Sequence, residues 1–186
     1  MFQIADLPLA AGRIGICPLP GRTGDYAGDM GILFGWRPDI VLTLVSEIEI
    51  EAGGAESLAP DLRARGISWW HLPITDFRTP CNGTEALWPA FSAEARAVLA
   101  GGGRVLAHCY GGCGRSGMAL MRLMVESGED PQAALSRLRK ARPCAVETVA
   151  QAGWAASVPP GVATGILLSV AAMPVMPSRR PRAAAR

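Results

Sequence analysis

A single α/β domain, with a central, mainly parallel sheet of four to five strands and helices on both faces, is the fold this chain predicts. Three observations lead there. Short apolar runs alternate with longer segments of helical spacing. A glycine-rich loop at 108–117 joins a run of the first kind to one of the second. The 186 residues, 49% of them apolar, can bury one sizeable core and fall inside the single-domain range. In chain order, strands are predicted over 13–17, 40–45, 67–74 and 103–108. Helices are predicted over 25–36, 55–65, 84–100, 116–127, 131–141 and 147–156.

The third strand prediction rests on the run Ile67 to Ile74, in which adjacent Trp69 and Trp70 fall on opposite faces, one toward the core and one nearer the surface. Thr84 supplies a cap for the next helix. Val105, Leu106 and Ala107 form a buried-strand signal. Met118, Leu120, Met121, Leu123, Met124 and Val125 then recur at helical spacing up to Gly128. Asp130 and Pro131 are a cap and first-turn pair. From Val158 onward prolines break the chain, so the domain is assigned to 1–157 and a disordered or loosely packed Pro/Arg-rich tail to 158–186.

The loop His108-Cys109-Tyr110-Gly111-Gly112-Cys113-Gly114-Arg115-Ser116-Gly117 carries the chemistry. It leaves a strand's C-terminal end and enters a helix N-terminus, where unpaired amide groups and the macrodipole favour an anion. Glycines 111, 112 and 114 let successive N–H groups turn inward as a nest through positive φ, so Tyr110 to Gly114 are candidate substrate-binding positions. The same helix end and the nearby Arg115 favour the anionic sulfur of Cys109, facing a bound phosphorus. Arg115 offers a planar fork for two equatorial oxygens, which a lysine point charge does not match. Ser116 can donate its hydroxyl to the sulfur, and His108 is assigned to ordering the loop. Asp76, on the loop after the Ile67 to Ile74 run, lies at the sheet edge where the cysteine loop also emerges, and is the candidate general acid.

The His-Cys, five residues, Arg-Ser pattern resembles the signature of the cysteine-dependent protein tyrosine phosphatase superfamily. Its Cys-Tyr-Gly-Gly-x-Gly-Arg-Ser wording is most similar to the dual-specificity-like branch, above all the cyclin-dependent kinase-associated phosphatases. Cys17-Pro18-Leu19-Pro20-Gly21 resembles that branch's entry segment. Ile40 to Val45 with Ser46 and Glu47 resembles its second strand and Glu-bearing turn. Leu72 to Asp76 with Pro80 resembles its acid loop, and Arg142-Pro143 with Glu147, Thr148 and Gln151 its closing helix. The similarity spans about 13–156. It implies hydrolysis of a phosphorylated protein or a small phosphate monoester through a phosphocysteine, with no metal and no cofactor. Phe77 and Arg78 depart from the wording of the larger phosphatases; Phe77 suits stacking on a substrate ring and Arg78 a second negative group. Phosphoinositides, a phosphopeptide-binding module without turnover, and a sulfurtransferase or arsenate reductase stay open as alternatives. A metal site made from Cys109, Cys113 and His108 lacks a completing cluster.

Net charge is +2, but Arg179, Arg180, Arg182 and Arg186 leave residues 1–178 at −2, and no basic stripe supports nucleic-acid binding. The apolar stretch Val162 to Met173 is shorter than the roughly 20 residues of a membrane span, although with the arginines it suits contact with a membrane surface. Cysteines 17, 81, 109, 113 and 144 are odd in number and show no disulfide framework, and a thiolate enzyme requires a reducing compartment, so a cytoplasmic location is expected. Cys113 or Cys81 is a candidate to trap an oxidised Cys109 as a reversible disulfide.

Overall fold

The computed structural model describes residues 1–157, and the expectations for the tail lie outside them. Five strands form one sheet: β1 (Ala5–Leu9), β2 (Gly12–Pro18), β3 (Ile40–Thr43), β4 (Ser68–His71) and β5 (Arg104–Cys109), in the order β1-β2-β5-β3-β4. All neighbours are parallel except the β1–β2 hairpin. β5 is therefore central, with Cys109 opposite Pro18 of β2 and His108 opposite Thr43 of β3. Chain connections diverge on either side of it, which opens a crevice beyond the strands' C-terminal ends.

Among the described residues seven helices surround the sheet: α1 (Tyr26–Trp36), α2 (Glu47–Ala52), α3 (Leu58–Ala64), α4 (Asn82–Ala100), α5 (Gly114–Glu126), α6 (Pro131–Ala141) and α7 (Val149–Ala156). α5 is buried at every position from Gly114 to Glu126, because β2 and β5 take one side and α6 and α7 cover the rest. Burying Arg122 and Glu126 in it requires partners. They pair with each other at 2.8 Å, while Glu126 also accepts from Trp88 Nε1 at 2.9 Å and from the Ser92 hydroxyl. Arg122 donates to the Trp154 carbonyl, so α4, α5 and α7 share one polar knot and the helix carrying Arg115 is held from behind.

Three expectations need correction. β1 and α2 have no counterpart among the predicted elements. Thr84 does not cap α4: the helix starts at Asn82 after Cys81, and the Thr84 hydroxyl donates to the Pro73 carbonyl at 3.0 Å, tying α4 to the acid loop. Trp69 and Trp70 are both half-buried, since each ring nitrogen is pulled to a polar partner, Thr43 Oγ1 and Glu94 Oε2 respectively. Asp130 caps α6 as expected, accepting from Gln132 and Ala133 N–H.

Candidate active site

A trans peptide plane points its C=O and the following N–H in opposite directions. In the loop after β5 the carbonyls are held from outside one after another. Tyr110 O accepts from Leu19 N at 3.3 Å and Arg22 at 3.1 Å. Gly111 O and Gly112 O each accept from Arg142 at 2.9 Å. Cys113 O accepts from Gly117 N at 2.8 Å. The N–H groups of Gly111, Gly112, Cys113 and Gly114 therefore face the other way, as the wall of a cup. Of the three glycines, only Gly112 has positive φ, at 69°. Gly112 is also required for space, since a Cβ there meets the Cys17 backbone at 2.4 Å, whereas at Gly114 a Cβ meets only the movable end of the Glu147 side chain, at 2.2 Å.

Cys109 closes the base of the cup, 3% exposed, with Sγ 3.3 Å from Ser116 Oγ. Arg115 forms the side. Its two terminal nitrogens grip the Glu49 carboxylate at 2.8 and 3.0 Å, and one also donates to Ile74 O. Its Nε is buried without a hydrogen-bond partner and lies 3.3 Å from Asp76 Oδ1. Burial is the largest influence on the guanidinium and opposes its charge, but Glu49, Cys109 and Asp76 together outweigh it and raise its pKa. Burial likewise opposes the Glu49 carboxylate, and the bonds from Arg115 and Ser46 reverse the sign, lowering its pKa. Glu49 is not among the site residues the sequence points to; the Glu-bearing turn points to Glu47, which faces solvent beside His71. The available signal is the Ser46-x-x-Glu49 capping box, which starts α2 and fixes the Glu49 side chain.

Asp76 stands at the rim, its side chain 56% exposed. It accepts from the N–H of Phe77, which holds φ at 57° and turns its ring outward, 57% exposed. Beside the rim, Ser46, Glu49 and 73–76 line a shallow concavity of about 330 Å³. The structure thus brings Cys109, Arg115, Ser116 and Asp76 together around one cup.

His108 lies behind the loop, fully buried, with Nε2 2.8 Å from Thr43 Oγ1. Burial lowers its pKa to about 3. The unfolded chain therefore binds a proton near pH 6.5 that the folded chain refuses until about pH 3. The expected result is a stability loss on acidification between those limits of about 1.4 kcal/mol per pH unit. Denaturant titrations across this range detect it as the difference in slope between wild type and His108→Gln, and parallel slopes count against it.

Two cysteine expectations are overturned. Cys113 and Cys144 form a disulfide, Cα atoms 5.1 Å apart, linking the cup to the segment between α6 and α7. Cys113 is therefore not free to trap Cys109; a separation of 31 positions along the chain hides the pairing from a sequence reading. Cys81 is exposed at the start of α4 and Cys17 is buried under the loop, where burial foremost, then Cys109, pushes its thiol up. Among the described residues no group of three or more His, Cys, Asp or Glu side chains is placed to hold a metal ion, and no helix is long and apolar enough to cross a membrane.

The family model described as "polymorphic toxin system, DSP-PTPase phosphatase" matches residues 39–129. Cyclin-dependent kinase inhibitor 3 of Mus musculus is 30% identical over 161 residues, covering 81% of this chain and 75% of the relative. Among solved structures, kinase associated phosphatase with its catalytic-site cysteine replaced by serine superposes with a TM-score of 0.72 at 23% identity, over 83% of this chain and 92% of that one. Tk-PTP in its active form gives 0.61 at 29% identity, over 77% and 88%. PTPMT1 in complex with PI(5)P gives 0.63 at 16%, over 82% and 92%.

Proposed function

Because the chain belongs to the dual-specificity branch of the cysteine-dependent phosphatases, we propose that it hydrolyses phosphate monoesters on phosphorylated proteins through a phosphocysteine at Cys109. The observation that supports this best is the Nε of Arg115, buried with no hydrogen-bond acceptor and with only the rim carboxylate of Asp76 in ion-pair range, on the helix that the cup loop opens. A buried donor without an acceptor is costly. An oxyanion above the sulfur supplies it, while Glu49 keeps the rest of the guanidinium engaged.

The Cys109 sulfur attacks phosphorus as the P–O bond to the leaving group breaks, and Asp76 delivers a proton to the departing oxygen. A water then attacks the phosphocysteine, the same carboxylate takes its proton, and the sulfur leaves with the Ser116 hydroxyl as donor. The cup binds the equatorial oxygens throughout. His108 takes no part in proton transfer, being buried, neutral and turned to Thr43.

A protein substrate is favoured by the open rim. Asp76 and Phe77 are both more than half exposed, so the phosphate on a short stem reaches the sulfur without a deep slot closing around the carrier. The relative cyclin-dependent kinase inhibitor 3 is named for its action on a protein kinase, in keeping with a protein partner at such a rim.

The test is turnover of aryl phosphates with graded leaving groups, in glutathione buffer containing chelator. Asp76→Asn is expected to lose about 10²–10⁴-fold on a poor leaving group and much less on a good one that departs unprotonated. An equal loss on all of them removes Asp76 from the acid role. Wild-type activity that appears only on adding metal overturns the mechanism.

A further inference from the structure

The segment between α6 and α7 reaches the cup through several contacts. Arg142 holds the Gly111 and Gly112 carbonyls, and by peptide planarity sets the direction of the N–H groups of Gly112 and Cys113. Val146 N approaches Cys113 O at 3.5 Å. Val146 itself sits at φ 63°, a left-handed conformation that is a genuine outlier for a β-branched residue. Such a residue persists only where its surroundings over-determine it. Arg139 supplies part of that constraint by donating to the Ala145 and Val146 carbonyls. The covalent constraint lies between Arg142 and Val146, at Cys144, bonded to the one cysteine inside the cup wall.

We propose that Cys113 and Cys144 are positioning residues of the phosphate cup: their disulfide holds the Arg142–Val146 segment against the loop, so the site works best with this pair oxidised and Cys109 reduced. The inference rests on the phosphatase reading above and adds a requirement to it. Cys144 is exposed, and exposed disulfides are the reducible ones. Opening consumes one dithiol. A thiolate attacks Cys144 Sγ, the S–S bond breaks, and Cys113 departs with the electron pair and takes up a proton. The second reductant sulfur then displaces Cys144 as a thiol, leaving the reductant as a cyclic disulfide. Freed of the tether, Val146 relaxes toward negative φ, Arg142 loosens its grip on the two carbonyls, and the N–H groups lose their common aim.

The charges facing the cup, Arg115 from α5, Glu49 from α2 and Asp76 from the acid loop, are unaltered by reduction, so the effect is on geometry.

The decisive measurement uses the full chain carrying Cys109→Ser, in which no nucleophile confuses the redox response, and inorganic phosphate as the probe. Calorimetric phosphate affinity is expected to weaken about tenfold on adding dithiothreitol, the scale of one misaligned charge-assisted hydrogen bond. The Cys109→Ser/Cys144→Ser chain is expected to bind at the weaker level with or without reductant. In the parent chain, a series of glutathione and dithiol buffers is expected to raise activity as Cys109 is reduced, then lower it as the brace opens. Cys144→Ser shows only the rise, to a lower plateau. Equal phosphate affinity with and without dithiol, or non-reducing peptide mapping that finds Cys113 and Cys144 both free, overturns the proposal. An inactive parent chain in every buffer overturns the phosphatase reading instead.

Discussion

Cys109→Ser is expected to abolish aryl phosphate turnover, by on the order of 10⁵-fold or more, while inorganic phosphate still binds within a few-fold of the parent affinity. The two halves of the result come from different parts of the loop. Binding belongs to the main-chain N–H groups, whose carbonyls are anchored by Leu19, Arg22, Arg142 and Gly117, and to Arg115; none of these contacts uses the sulfur. Turnover additionally requires the sulfur. A serine hydroxyl is protonated near neutral pH, and no group in reach can change that. Ser116, at 3.3 Å, is another hydroxyl. His108 is occupied with Thr43 on the far side of the strand. Asp76 must hold its proton to serve as the acid. Turnover by the serine variant within about 10²-fold of the parent, well short of the loss a removed nucleophile causes, refutes the phosphocysteine route.

Sequence makes the cup legible because its chemistry is contiguous: nucleophile, wall and arginine lie within seven residues, and the flanking periodicities change from strand to helix on either side. The central parallel strands are legible for the same local reason, as short apolar runs between helical ones. β1 is not, because Asp6 and Pro8 interrupt its pattern; the structure tolerates them because β1 is an edge strand paired only with β2. α2 hides behind a strand-like alternation, Glu47-Ile48-Glu49-Ile50-Glu51. Its capping box makes it a helix, Ile50 goes into the core and Ile48 stays 77% exposed. That alternation conceals Glu49, since the turn that aims its carboxylate exists only if the segment is helical. The Cys113–Cys144 bond is illegible for a different reason. It depends on how α6 returns to the loop, a tertiary fact with no local signal in the chain. What a sequence reading assigns least well here is the support of the site, although it names the groups that face the substrate.

Arg115→Lys tests that support, and is expected to cost about 10³-fold or more in kcat/KM although the formal charge is kept. Three nitrogens of the guanidinium have separate duties. Two are spent on the Glu49 carboxylate and one of these also on Ile74 O, which leaves Nε without a hydrogen bond, 3.3 Å from Asp76 Oδ1 at the rim. A single ammonium cannot grip Glu49 and serve an oxyanion from opposite sides, and Glu49, whose carboxylate lies in direct contact with this side chain, wins. The substituted ammonium is therefore drawn out of the cup, and a bound phosphate loses a donor in both ground and transition states, so KM rises as kcat falls. Glu49→Gln is the informative partner. It keeps the shape and one of the two acceptor oxygens but removes one of the charges that together outweigh the burial of Arg115, and it is expected to cost less than the lysine exchange, about tenfold by the worth of one charge-assisted bond. Combining the two is expected to cost less than the product of the single losses, because once lysine has surrendered the cup there is little left for Glu49 to position. Steady-state kinetics of the four chains decide it: multiplicative losses mean that Glu49 does not act through Arg115.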